Sequence, residues 1–177
     1  MASPSLAAIA GFEQKIVVGV GDLAVSNNQA IVLTTYSLGS CLGVTIYDPV
    51  VRVGGLLHFM LPDSSINTAK AAQQPGMFAD SGIPALFRAA YEMRAEKHRV
   101  QICVAGGAQV MDSSGYFNIG ARNYDSLTAL LRRHCLNIVA GQVGGMVSRT
   151  MTLNVRTGQV RLKVSGQAAE FVLHKGG

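Results

Sequence analysis

Apolar residues come in short runs and period-two alternations through the first third of the chain, the pattern of strands and not of amphipathic helices. Residues 15–20 predict a strand that stops at Gly21-Asp22. A second spans 30–36 and a third 41–47, joined through Ser37-Leu38-Gly39-Ser40, with Asp48-Pro49 as the closing turn. A fourth covers 53–61 and ends at Pro62. No charge occurs between Leu23 and Tyr47, yet Ser26, Asn27, Asn28, Gln29, Thr34, Thr35, Ser37 and Ser40 lie there. That polarity suits strand–turn–strand and argues against membrane insertion.

Beyond Pro62 the pattern changes. Residues 62–77 are polar, without periodicity and bounded by Pro62 and Pro75, so they predict a long loop able to close over a site. Ser81 is placed to cap a helix running to about His98, in which Ile83, Leu86, Phe87, Ala90, Tyr91 and Arg94 recur at helical spacing and Pro84 falls in the first turn. A buried strand at 100–105 ends at Gly106-Gly107. A second helix is expected over 124–134, capped by Asn123, with Leu127, Leu130 and Leu131 toward the core and Arg132, Arg133 and His134 complementing the dipole of its last turn. Strands at 136–143, 150–155 and 160–164 follow, the last two joined by a turn at Thr157-Gly158. The order is not regular βαβ. It predicts one α/β (α+β) layered domain over 15–174, with a mixed β-sheet and two main helices, behind a loose N-terminal tail at 1–14. That tail lacks the basic start of a secretory signal, so a cytoplasmic protein is expected.

Composition narrows the function classes. Hydrophobic residues make up 49% of the 177 and charged residues 14%, a globular balance. The net charge of +5 is scattered, with Arg132–Arg133 the only adjacent basic pair, which argues against nucleic-acid binding and allows an acidic protein partner. No metal-ligand spacing, paired-carboxylate signature or phosphate-binding loop occurs, so no cofactor is expected. Cys41, Cys103 and Cys135 form neither a disulfide framework nor a zinc site. Cys103 lies inside an apolar run and Cys135 at a helix end among Leu and Ile, and both read as packing residues. Cys41 differs, because it follows a tight Leu-Gly-Ser turn where a thiol is presented and nearby N–H groups are left free. Among the histidines, His98, His134 and His174 have bland surroundings, whereas His58 sits inside the apolar run Gly54-Gly55-Leu56-Leu57-His58-Phe59-Met60-Leu61. A buried imidazole there is either a satisfied core residue or the base for Cys41 on the neighbouring strand. A thiol held against an imidazole is expected to ionise to the attacking thiolate.

The motifs Leu38-Gly39-Ser40-Cys41 and Gly54-Gly55-Leu56-Leu57-His58-Phe59-Met60-Leu61-Pro62 resemble those of the chemoreceptor glutamine deamidase family, CheD. The likeness continues in order through Phe78-Ala79-Asp80, Gly106-Gly107-Ala108, Asn118-Ile119-Gly120-Ala121-Arg122-Asn123, Val143-Gly144-Gly145 and Thr157-Gly158. It implies a Cys–His–Thr set, which falls on Cys41, His58 and Thr35, with Thr34 as the neighbouring alternative and backbone N–H support near Gly39 and Ser40. It also implies a substrate, the methyl-accepting chemotaxis receptors, and a second possible partner, a CheC-type phosphatase. Cys135 replaces the glycine the family often carries at a helix exit. Three rival activities share Cys–His chemistry, namely peptidase, transglutaminase and receptor methylesterase, and a pure docking module is the rival that needs no chemistry.

Overall fold

The computed structural model describes residues 13–109 and 118–177. Among the described residues, ten strands form two mixed five-stranded sheets. The first has the order β1 (Gln14–Val17), β3 (Ile31–Leu38), β8 (Arg149–Asn154), β9 (Val160–Val164), β10 (Glu170–His174), parallel at β1–β3 and antiparallel elsewhere. The second has the order β2 (Leu23–Ser26), β5 (Val53–Phe59), β4 (Leu42–Asp48), β6 (Gln101–Gly106), β7 (Ile138–Val143), parallel only at β6–β7.

Burial explains the layering. Every residue of β4 and β5 is buried, as expected for strands covered on both faces, whereas β8 and β9 alternate buried with partly or fully exposed positions. One core joins Leu33, Leu38, Met151, Leu153 and Leu162 of the first sheet to Leu56, Cys103 and Ala105 of the second. The other lies on the far face of the second sheet, where Val44, Ile46, Leu57 and Phe59 meet Ile83, Leu86, Leu127 and Leu131 from two helices, α2 (Ala79–Glu92) and α3 (Ile119–Arg133). The molecule is therefore three layers, sheet on sheet on helices, an α+β fold with mixed sheets. None of the helices among the described residues is long and apolar enough to cross a membrane.

Several expectations need correction. There are two sheets where one was expected, and β2 and β10 were not anticipated. Residues 62–77 are not an unstructured loop: they hold the short helix α1 (Thr68–Gln73) between two 3-10 turns. Their ends are tied down by hydrogen bonds from Ser64 to Asp80, from Gln74 to Asp22 and from Ser81 Oγ to the Pro75 carbonyl. Ser81 thus braces that segment and does not cap α2, which starts at Ala79 and carries Pro84 past its first turn. The same helix stops at Glu92, not His98, because Arg94 turns left-handed (φ 70°) and the Ala95 N–H returns to the Ala90 carbonyl. At the exit of α3, Cys135 takes the equivalent left-handed place (φ 53°) and is exposed, a cap and not a packed residue. The N-terminal tail expected at 1–14 lies outside the described residues over 1–12.

Candidate active site

Thr35 and His58 meet where the two sheets face one another. Thr35, on β3 of the first sheet, is fully buried, and its Oγ1 lies 2.7 Å from Nδ1 of His58 on β5 of the second. The same hydroxyl donates to the Val18 carbonyl at 2.7 Å. Thr34 points the other way, as period-two geometry requires, and bonds Thr152 across the outer face at 3.3 Å. His58 is held by its main chain as well. Its N–H donates to the Asp22 carbonyl at 3.0 Å, and its carbonyl accepts from the Gly21 N–H at 2.7 Å.

This arrangement fixes a tautomer. The one hydroxyl hydrogen of Thr35 goes to Val18, so the Thr35 oxygen accepts from His58 Nδ1–H. The other ring nitrogen, Nε2, is then an unprotonated acceptor. It is buried and has no hydrogen-bond partner among the described residues. Burial lowers the imidazole's pKa from 6.5 to about 4, against a smaller opposing pull from Asp22, so the ring is neutral at physiological pH.

Cys41 stands on the turn that leads into β4, half-buried against the core between the sheets. Gly43 pairs with His58 across the β4–β5 ladder. Two residues earlier on the same face, Cys41 is the diagonal neighbour of His58, a relation that typically spans roughly 7–8 Å between backbones and is within reach of side chains. No hydrogen bond joins the two side chains, since Nε2 is unpartnered. Burial pushes the Cys41 thiol up, only partly offset by its own N–H. The expected thiolate is therefore not the resting form: burial favours neutral thiol and neutral imidazole.

The turn itself is pinned by its carbonyls. Gly39 O accepts from Ala108 N at 2.7 Å, Cys41 O from Gly107 N at 2.9 Å, and Ser40 O from Asn123 Nδ2 at 3.0 Å. Gly106 and Gly107 have positive φ, 112° and 63°, and a side chain at Gly106 would collide with the Cys41 carbonyl oxygen. The left-handed turn at Gly107 directs its carbonyl toward Gly120 in the first turn of α3. In a regular ladder that carbonyl would accept from Cys41. Neither the Ser40 nor the Cys41 N–H donates to a carbonyl among the described residues.

The remaining candidates stay apart from this cluster. Cys103 is buried in β6, its pKa pushed up to about 11 chiefly by burial. His98 is paired loosely with Glu96, and His174 bonds Gln101. No group of three or more His, Cys, Asp or Glu side chains placed to hold a metal occurs among the described residues. Asn123 is the residue that sequence reasoning misplaced. It is no cap but sits inside α3, fully buried, with Asn118 at the cap position. Its spacing with Gly120, Leu127 and Leu131 on one helical face was the available signal, because a polar side chain on an apolar stripe needs a partner.

Fold and site together define a layered α+β protein that sets a turn-borne cysteine beside a buried Thr–His pair. The family model described as CheD chemotactic sensory transduction matches residues 60–164. A probable chemoreceptor glutamine deamidase CheD 1 of Syntrophus aciditrophicus is 46% identical over 151 residues, covering 85% of this chain and 94% of that protein. A probable chemoreceptor glutamine deamidase CheD of Solibacter usitatus is 42% identical over 159 residues, covering 90% and 94%. A probable chemoreceptor glutamine deamidase CheD of Pyrococcus abyssi is 36% identical over 163 residues, covering 90% and 98%. The chain belongs to the CheD family.

Proposed function

We propose that this chain is a protein-glutamine deamidase that converts specific glutamines of methyl-accepting chemotaxis receptors to glutamate in the cytoplasm, with Cys41, His58 and Thr35 as its catalytic set. The relatives' names support the reaction. The observation that carries the residue roles is the 2.7 Å contact between Thr35 and His58 Nδ1, which leaves Nε2 as an unpartnered base on the strand beside Cys41.

The steps follow from that tautomer. Cys41 Sγ attacks the side-chain amide carbon as its proton passes to His58 Nε2, and the imidazolium that forms is oriented by Thr35 through Nδ1–H. The Cys41 N–H, released from the ladder by the Gly107 turn, stabilises the developing oxyanion together with the Ser40 N–H beside Gly39. Collapse returns the proton to the departing ammonia and leaves a thioester. Water then attacks, again through Nε2, to give glutamate and the free thiol. The sequence of steps needs no cofactor.

Mass spectrometry of a purified receptor cytoplasmic domain, incubated with the wild-type chain and with Cys41→Ala, tests this. Gln-to-Glu conversion by the wild type alone is the expected result. Methanol release from a methylated receptor would add esterase activity through the same thioester. Absence of conversion across several receptors would overturn the proposal and leave docking onto a CheC-type phosphatase as the reading to pursue.

A further inference from the structure

Resting on the deamidase reading, we infer that Asn123 is a positioning residue for the nucleophile, its side-chain amide clamping the carbonyls of Ser40 and Met60. Nδ2 donates to Ser40 O at 3.0 Å and to Met60 O at 2.8 Å. Those two hydrogens are all the amide has to give. Ser40 precedes the nucleophile, and Met60 lies two residues past His58. The β4–β5 ladder ends at the Leu42–Phe59 rung. Beyond that rung, Asn123 joins the two segments that carry the thiol and the imidazole.

A role in stability alone accounts poorly for the residue. Asn123 is fully buried on the apolar stripe of α3, and its Oδ1 is buried with no hydrogen-bond partner among the described residues, an arrangement that costs free energy. The amide bonds neither its own helix nor a cap. One turn along, Ser126 Oγ donates to the Pro62 carbonyl at 2.9 Å. Side chains of α3 thus hold both the entry to β4 and the exit from β5. A displacement of about 1 Å between reacting groups lowers turnover on the order of a hundredfold, so a clamp at this place acts on kcat.

Asn123→Asp is nearly isosteric and replaces two donors with a carboxylate facing two carbonyls. Its kcat on a receptor domain is expected to fall about 100-fold above neutral pH, with KM little changed. Relative to wild type at each pH, part of that loss should return as the pH falls and the buried carboxyl takes up a proton, regaining one donor. Asn123→Ser, which fits a helix and cannot reach both carbonyls, should show the loss without the return. Alkylation of Cys41 by iodoacetamide, read in a Cys135→Ser background, should rise severalfold in both variants as the turn loosens, so turnover and thiol access move in opposite directions. Unchanged kcat and alkylation in folded variants whose melting temperature alone has dropped would overturn the inference. If the wild-type chain deamidates no receptor, the deamidase reading fails, and the alkylation comparison alone still decides whether Asn123 sets Cys41.

Discussion

Thr35 has one hydroxyl hydrogen and two neighbours at 2.7 Å, the Val18 carbonyl and His58 Nδ1. Because a carbonyl only accepts, the hydrogen goes to Val18 and the ring must donate from Nδ1. Thr35→Val removes the acceptor and strands that N–H in the core. Stability is expected to fall by about 1–3 kcal/mol, and turnover on a receptor domain on the order of a hundredfold. Thr35→Ser should keep most of the activity, and Thr34→Val, which faces Thr152 on the outer side, should stay near wild type. Steady-state kinetics of the three variants separate the two threonines. A second expectation concerns the thiol. Since burial pushes Cys41 up and His58 down, its alkylation rate should climb only through alkaline pH, without a reactive plateau near neutrality. A plateau at pH 6–7 in the Cys135→Ser background would mean that the pair rests as an ion pair. Cys41 and His58 were both legible in the sequence by contrast with their kin, a cysteine after a Leu-Gly-Ser turn and a histidine in an apolar strand. Thr35 was reached only through the family resemblance, because two adjacent strand threonines look alike until a facing sheet decides which points inward.

At the scale of elements, the position of Cys41 depends on the end of β6. Gly106 has φ 112°, and a Cβ there would collide with the Cys41 carbonyl oxygen, which belongs to the backbone and has no side-chain freedom to yield. Gly106→Ala is therefore expected to cost roughly 2–4 kcal/mol in urea denaturation and to lower turnover per folded molecule, since relief of the clash must move Cys41. Gly166→Ala is the comparison: φ is positive there too, at 82°, but nothing among the described residues lies within 4 Å, so only the backbone cost of about 1 kcal/mol applies. Equal losses for the two would remove the steric argument. The strands at the centre of each sheet follow from their own apolar runs. The strands β2 and β10 did not show because each is short and takes its definition from a partner's ladder, β5 and β9, which is non-local information. The start of α3 was misplaced for a related reason. Asn123 looks like a cap in isolation, and only tertiary contact shows that its amide serves two carbonyls from other elements.

Across the whole molecule, Thr35 belongs to one sheet and His58 to the other, so their contact exists only while the layers are closed. The layered α+β class was readable from the order and length of apolar runs, whereas the division into two sheets was not, since adjacency in sequence does not say which strand pairs with which. The closed core also links the imidazole to global stability. Its pKa is about 4 when folded against 6.5 as the ordinary value, so in the pH range between them the unfolded chain binds a proton that the folded chain does not. The stabilisation is fully present above pH 6.5 and is lost as pH falls through about 4, with a limiting slope of about 1.4 kcal/mol per pH unit and a total of about 3 kcal/mol. Asp48, whose burial is outweighed by Arg99 and three backbone N–H groups that hold its pKa below 3.8, loses its contribution at lower pH. Urea denaturation from pH 7 to pH 4 should therefore show wild type losing more stability than His58→Gln, which cannot take up the proton. Parallel curves would mean that the folded protein admits the charged ring, and the neutral imidazole assigned to the resting site would then have to be abandoned.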